Sequence, residues 1–190
     1  MGLRCRVLVG VVMGFVAVGV AWAQPAAPRE IQTGTKMSDL CYVAVSEVTV
    51  KAADAAKTEN LISQAMQELG TMATDAGFSP VGTLHVAVVG PLPPPPPGDI
   101  TLQVRLPILE QPTEEDLKPG GPLTIVKLEA TKVAYTYHRG PISDAETSFM
   151  RLFQWAAGQQ LETTGAPSLI VYQYNPDPMR QVVELQVPVK

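Results

Sequence analysis

The sequence is poor in the residues that most often carry chemistry in proteins. It has two cysteines and two histidines among 190 residues. Cys5 lies in an apolar N-terminal segment, so Cys41 has no partner for a disulfide within one mature chain. Cys41 stands in the apolar stretch LCYVAV, which favours a buried strand thiol over a reactive one. His138 has no second histidine or carboxylate at metal-ligand or triad spacing, so no metal, cofactor or catalytic residue is indicated.

The sequence also lacks an apolar N-terminal run long enough to cross a membrane. The run at residues 7–20 is shorter than the roughly 20 apolar residues that a spanning helix needs. Arg4 and Arg6 precede it and AWA at residues 21–23 follows it, which is the order of a secretory signal peptide. We therefore expect cleavage after residue 23, with the mature protein in the bacterial periplasm or secreted. The next residue is Gln24 rather than cysteine, so no lipid anchor and no stable membrane attachment is expected.

The sequence has fewer basic than acidic residues. The chain has 14 lysines and arginines against 18 acidic residues, a net charge of −4. Removal of residues 1–23 takes away two arginines and no acidic residue, which leaves the mature chain at −6. An acidic protein is a poor partner for a phosphate backbone. The charge and the expected export together argue against nucleic-acid binding.

Proline and glycine mark out the organisation of the mature chain. Residues 24–38 are rich in Ala, Pro, Thr and Gly, which predicts a flexible leader before a domain at residues 39–190. The polar linker EQPTEEDLKPGGP at residues 110–122 divides this domain into a first module, 39–109, and a second module, 123–190. The proline run between residues 91 and 98 predicts a stiff loop inside the first module.

Both modules show the same order of elements. The first has the strand LCYVAVSEVTV, an amphipathic helix at residues 58–76 stopped by Gly77, and the strands TLHVAVV and ITLQVRLPI. The second has the strand KVAYTYH, a helix opened by a capping box at residues 143–146, and the strands SLIVYQY and VVELQVPV. The closing strands, at 101–108 and 182–189, match 81 positions apart. The predicted apolar helix faces are Leu61, Ala65, Leu69, Met72 and Ala76, and Ala145, Phe149, Leu152, Phe153 and Ala156.

This pattern predicts an α+β fold of two pseudo-symmetric strand-helix-strand-strand modules, with antiparallel sheets around a central cleft. The stretch VAYTYHRGPISDAETSFMRLFQWAAGQQL, followed by GAPSLIVYQYNPDP and VVELQVPV, resembles the GyrI-like small-molecule-binding domain. That domain is also the effector-binding module of bacterial multidrug-responsive transcription activators. The resemblance implies the same two-module fold and an amphipathic, often cationic, ligand in the cleft. The helix-turn-helix of those regulators is missing, so their role in transcription is not carried over.

The resemblance also implies a carboxylate on a cleft strand with aromatic residues around it. Glu184 in VVELQVPV is the candidate, and alternation places it opposite Val183 and Leu185. A solvated strand glutamate and a cleft glutamate both fit this pattern. Most aromatic residues lie in the second module, and they either cover core edges or supply rings to a ligand. The proposed cleft walls are Tyr135, Tyr137, Trp155 and Tyr172, while Tyr174 shares a strand face with Tyr172.

The residues from His138 to Pro141 fit the turn between a predicted strand and a predicted helix. Gly140 allows the strand to leave through a backbone conformation that other residues resist, and Pro141 suits the approach to a helix. We therefore expect His138 to stabilise this corner or to face solvent rather than to act in catalysis. The expected function is binding of a small amphipathic, possibly cationic, molecule. A hydrolase that uses the cleft glutamate as a general base and a haem- or protein-binding module remain as alternatives.

Overall fold

The computed structural model describes residues 32–90, 98–121, 123–173, 175 and 177–190. The expected signal peptide, the proline loop and Tyr174 lie outside these residues. The described chain forms β1 (Gly34–Met37), β2 (Cys41–Val50), α1 (Thr58–Asp75), β3 (Leu84–Val89), β4 (Ile100–Ile108), β5 (Thr124–Leu128), β6 (Lys132–Arg139), α2 (Ala145–Gly158), β7 (Ser168–Val171) and β8 (Val182–Pro188). Short 3₁₀ helices occur at Ala52–Lys57, Ile142–Asp144 and Pro178–Arg180. Neither α-helix has the length and apolarity to cross a membrane.

The strands form one antiparallel sheet in the order β1-β6-β8-β7-β3-β4-β2-β5. The α+β class and the antiparallel pairing are as predicted. The two predicted sheets are the halves of this single sheet, joined where β3 pairs with β7. The order is symmetric about that junction, because β7, β8 and β6 on one side match β3, β4 and β2 on the other.

The first strand of each half of the chain pairs with the other half, although β1 lies before the predicted start of the first module. β1 pairs with β6, and β5 pairs with β2. The predicted flexible leader, residues 24–38, therefore contains a strand at Gly34–Met37, which the sequence analysis missed. A four-residue strand has too little alternation to be recognised, and its stability comes from a partner distant in the chain. The Oγ1 atoms of Thr33 and Thr136, 3.0 Å apart, help to hold β1 against β6.

Both helices pack on one face of the sheet, here called the helix face. The buried residues of α2 are Ala145, Phe149, Leu152 and Ala156, as predicted, while Phe153 is partly buried against them. On α1 the buried residues are Ile62, Ala65, Leu69 and Ala73. Met72, predicted to be buried, is 44% exposed. The two possible stripes on α1 share Ala65 and Leu69, so helical periodicity alone did not decide between them.

The corner between β6 and α2 is held by His138, which is 8% exposed. Its Nε2 lies 3.0 Å from the carbonyl oxygen of Pro141 and its Nδ1 lies 2.9 Å from the Ser148 hydroxyl. Because a carbonyl only accepts, Nε2 carries the proton and Nδ1 accepts from Ser148 in the neutral ring. Gly140 has a φ of 124°, which a residue with a Cβ rarely adopts. The histidine at this corner is therefore structural, as expected.

The predicted capping box is not formed. A 3₁₀ turn at Ile142–Asp144 precedes α2, and the helix begins at Ala145 with no side-chain cap. Ser143 lies inside that turn and donates instead to Asp144, at 3.2 Å. The 3₁₀ turn moves the start of the helix beyond the serine, so the serine cannot serve as its N-cap.

Leu152→Ala tests the packing of α2. Leu152 is 1% exposed in the core on the helix face. We expect the free energy of unfolding, measured in urea, to fall by about 2–5 kcal/mol, because the substitution leaves a cavity. Met150→Ala on the same helix removes a residue that is 37% exposed, and should change this value by no more than about 0.5 kcal/mol. Similar losses in both variants would contradict this packing.

Candidate functional site

The face of the sheet turned away from the helices carries polar side chains and is here called the polar face. Val183, Leu185 and Val187 enter the core, so Glu184 and Gln186 point to the opposite side. The register places a row of residues across this face, each opposite the next. In order along the sheet, the row is Tyr137, Glu184, Ile170, His85 and Arg105.

Glu184 is fully buried on the polar face, at 0% exposure. This rules out the solvated strand glutamate. Its carboxylate accepts hydrogen bonds from Gln186 Nε2 at 2.7 Å and from the Tyr172 hydroxyl at 2.9 Å. Lys36 Nζ lies 2.6 Å from the same carboxylate. A charge removed from water must be paired and hydrogen-bonded, and these donors meet that requirement.

Lys36 reaches this position from the short edge strand β1. Its ammonium lies 5.2 Å from the centroid of the Tyr135 ring, within the range of a cation–π contact. Its side chain is 36% exposed, whereas that of Glu184 is 1% exposed. A cation between a carboxylate and an aromatic ring is thus already part of the folded protein.

The tyrosines surround this ion pair. The rings of Tyr135 and Tyr137 meet edge to face, with centroids 6.1 Å apart and planes at 80°. Burial raises the pKa of Tyr137 and of Tyr172, and the negative charge and hydrogen bonding of Glu184 raise both further. Both hydroxyls therefore stay protonated at neutral pH and remain available as donors.

Opposing influences set the ionisation of the pair. Burial, the largest single influence on Glu184, raises its pKa, but the hydrogen bonds from Lys36, Gln186 and Tyr172 and the charge of Lys36 together outweigh it. The pKa of Glu184 is therefore below its usual value. For Lys36, burial lowers the pKa, and the hydrogen bond and charge of Glu184 outweigh this and raise it. Both groups are charged at neutral pH.

Four of the five predicted site residues come together on the polar face: Tyr135, Tyr137, Tyr172 and Glu184. Trp155 does not join them, because it packs against the core on the helix face. Helical periodicity placed Trp155 at the flank of the apolar stripe of α2. It did not indicate which face of the sheet α2 covers. Gln186 and Lys36 were not predicted as site residues. Period-two alternation from Glu184 could have found Gln186, whereas nothing local to Lys36 indicates its contact.

A cavity of about 330 Å³ opens beside the ion pair and is here called the polar-face cavity. This volume is at the lower end of the roughly 300–1,000 Å³ of small-molecule sites. Its lining includes Lys36, His85, Arg105, Ser168, Tyr172 and Gln186. Three of these side chains, Lys36, Tyr172 and Gln186, contact Glu184. The buried Glu184 carboxylate is thus connected to the cavity through side chains that contact both.

A second cavity, of about 270 Å³, lies on the helix face. It is lined mainly by apolar residues, among them Ile62, Val88, Leu102 and Phe149, and contains none of the predicted site residues. Within the described residues, no group of three His, Cys, Asp or Glu side chains could hold a metal ion. The polar face therefore carries the chemistry described here.

Replacement of Lys36 tests the ion pair. In Lys36→Met, burial acts on Glu184 without the opposing ammonium, so we expect the carboxyl pKa of Glu184 to rise. NMR titration of the side-chain carboxyl carbon measures this directly. Lys190→Met is the matched control, because Lys190 pairs with the exposed Glu162 at 3.8 Å. An unchanged Glu184 pKa in Lys36→Met would contradict the pairing.

The same pair sets a pH dependence. A carboxyl group whose pKa is lower in the folded than in the unfolded state stabilises the fold above its unfolded pKa. The contribution of Glu184 is therefore complete above its usual value of 4.5 and is lost as the pH falls through the lower folded-state value. Urea unfolding at a series of pH values should show this loss in the wild-type protein and a smaller one in Glu184→Gln. Equal losses in both proteins would assign the effect to other carboxylates.

Comparison with known proteins places this fold in a family. Residues 55–190 match the GyrI-like small molecule binding domain. The crystal structure of the EcmrR C-terminal domain is similar with a TM-score of 0.65 and 15% identity, over 84% of this chain and 98% of that one. SAV2435 bound to tetraphenylphosphonium is similar with a TM-score of 0.53 and 12% identity, over 84% and 94%.

EcmrR in its complex with DNA is similar with a TM-score of 0.67 and 16% identity, over 84% of this chain. The present chain spans 57% of the length of that protein. Among curated proteins, none matches the sequence significantly. At these identities the structures show a shared fold, and the match over residues 55–190 shows the family. The chain belongs to the GyrI-like small-molecule-binding domains.

Proposed function

We propose that the mature protein is an exported binding protein that holds a small amphipathic, cationic molecule non-covalently in the polar-face cavity. The observation that carries this proposal is the position of Lys36. Its ammonium contacts the buried Glu184 carboxylate at 2.6 Å and lies 5.2 Å from the Tyr135 ring centroid. A carboxylate and an aromatic ring around one cation are the groups that recognise a ligand cation.

A ligand cation would replace Lys36 at Glu184. The carboxylate is too deeply buried to remain charged without a partner, so it must be neutralised at every stage of binding. The Lys36 side chain is already 36% exposed and can turn towards water as the ligand enters. Glu184 then exchanges one cation for another, and Tyr172 and Gln186 keep their hydrogen bonds to it.

The family and the fold support this proposal. SAV2435, a protein of similar fold, is bound to tetraphenylphosphonium, an aromatic cation. The binding of DNA by EcmrR is not extended to this chain, which covers 57% of that protein and carries an acidic net charge. Export is proposed from the sequence alone, through Arg4, Arg6 and the apolar run at residues 7–20.

The geometry supports binding better than the two alternatives. A general base needs a free lone pair and a pKa near the working pH. Glu184 instead has a lowered pKa and three donors from the protein itself. A haem protein needs an axial ligand. Both ring nitrogens of His138 are already used inside the fold, and Nε2 of His85 lies 3.2 Å from the Thr83 hydroxyl.

Glu184→Gln tests the proposal with two ions of matched shape and opposite charge. Tetraphenylphosphonium should raise the unfolding temperature of the wild-type protein, because a ligand that binds only the folded state stabilises it. The variant should bind this cation about tenfold or more weakly, the scale of a charged hydrogen bond. Tetraphenylborate should show no comparable loss. Calorimetry gives both dissociation constants.

The control is Glu114→Gln, which removes an exposed carboxylate outside the polar face. It should leave the binding of tetraphenylphosphonium unchanged. Equal losses for both ions in Glu184→Gln would show that Glu184 is not a charge partner. Absence of stabilisation by tetraphenylphosphonium in the wild-type protein would overturn its proposed binding.

A further inference from the structure

Arg105 on β4 is a cation of the polar-face cavity and forms no ion pair with any carboxylate of the described residues. It lies opposite His85 of β3 and Val45 of β2. Its Nε donates to Gln103 Oε1 at 2.8 Å, a neutral acceptor. Among the described residues, no carboxylate lies within 4.0 Å of its guanidinium and no acceptor binds its two terminal nitrogens. These nitrogens are therefore available to a group in the cavity.

The other charged groups of the cavity lining are already paired or lie at its edge. Lys36 pairs with Glu184, and Lys127 pairs with Glu129 at 2.6 Å. Asp39 is exposed and forms no ion pair with a described residue within 4.0 Å. Arg105 and Asp39 are thus the charges of this lining that form no ion pair with a described residue, and of the two only Arg105 is partly buried.

His85 lies directly beside Arg105, and its pKa is below the usual value despite the opposing charges of Asp39 and Glu184. Burial lowers the pKa of His85, and the charge of Arg105 lowers it further. Burial also lowers the pKa of Arg105, but a guanidinium keeps its proton in a protein. A neutral imidazole and a permanent cation therefore stand together at this end of the cavity.

The internal repeat shows that the fold itself does not require an arginine here. Gln103 and Arg105 of β4 occupy the places that Glu184 and Gln186 occupy in β8. A glutamine thus serves at the equivalent position of the other module. The two modules differ in charge at these positions, with the buried acid Glu184 in the second and the base Arg105, which has no ion pair in the described part of the chain, in the first.

We infer that Arg105 forms an anion subsite in the polar-face cavity and binds a carboxylate of the small molecule held there. The planar fork of a guanidinium matches a carboxylate with two parallel hydrogen bonds. The hydroxyl group of Ser168 also lines this cavity and can donate to the same anion. The inference rests on the proposed function and specifies the ligand class.

The spacing of the two charges describes the ligand further. Glu184 and Arg105 lie in one row, separated by Ile170 and His85. Three strand spacings of about 4.8 Å place their backbones roughly 14 Å apart. Ile170 gives the row an apolar centre. The ligand is therefore an amphiphile with a cationic end at Glu184 and a carboxylate end at Arg105.

The experiment compares naphthoate with its neutral isostere naphthamide, each with the full mature chain. Calorimetry should show that the wild-type protein binds naphthoate about tenfold or more tightly than naphthamide. Arg105→Gln should remove this preference, and Arg105→Lys should keep only part of it, because an ammonium lacks the fork. The control is Arg151→Gln on α2, an exposed arginine on the helix face, which should keep the full preference.

Competition with inorganic phosphate distinguishes a subsite for carboxylates from a subsite for any oxyanion. Competition between phosphate and naphthoate would support a general oxyanion subsite, and an undisturbed naphthoate complex would support a carboxylate subsite. Equal binding of naphthoate and naphthamide by the wild-type protein would overturn the inference. Equal weakening of both compounds by Arg105→Gln would also overturn it, since a change of shape would then explain the loss.

Tetraphenylphosphonium binding, measured in the same variants, separates this inference from the proposed function. If Arg105→Gln binds the cation like the wild-type protein, the variant is folded and its cavity is intact. Binding of the phosphonium without a preference for naphthoate would overturn the anion subsite and leave the proposed function standing. Preference for naphthoate without phosphonium binding would support the subsite and contradict the role of Glu184.

Discussion

The site depends on the charge of one buried side chain, Glu184. A carboxylate at 0% exposure is stable in the ionised form only when nearby donors replace the water that it has lost. Gln186 and Tyr172 supply two of these donors from the same module, and Lys36 supplies the compensating charge. Lys36 is carried by β1, so the pairing of β1 with the other half of the chain also completes the site.

The helix face of the sheet stabilises the fold, and the polar face carries the charged groups of the site. On the helix face both modules look alike, with an amphipathic helix on a set of apolar strand residues, and this packing supplies the stability of the domain. On the polar face the modules differ. Glu184 has Gln103 as its counterpart, and Arg105 has Gln186. The features that the two modules share therefore form the fold. The polar-face residues in which they differ form the charged site.

The sequence predicted the elements better than their mutual placement. The apolar positions of α2 were found because helical periodicity is local and the stripe is unambiguous. The stripe of α1 was misjudged at Met72 because the two possible stripes share Ala65 and Leu69 and only packing selects one. Trp155 was assigned to the cleft from its angle on the helix, but its neighbours on the helix face are distant in sequence.

The sequence by itself determined the two-module repeat, the α+β class and the net charge, because these follow from composition and from periods of two and 3.6 residues. The candidacy of Glu184 came from the resemblance to the GyrI-like domains, since strand alternation alone fits a solvated glutamate equally well. Tertiary structure decided that β1 pairs with β6, that Lys36 contacts Glu184 and that Arg105 lies beside a cavity without an ion pair to a described residue. Those facts depend on strand register between distant segments. Register is fixed by the packing of the whole sheet, which no local pattern encodes.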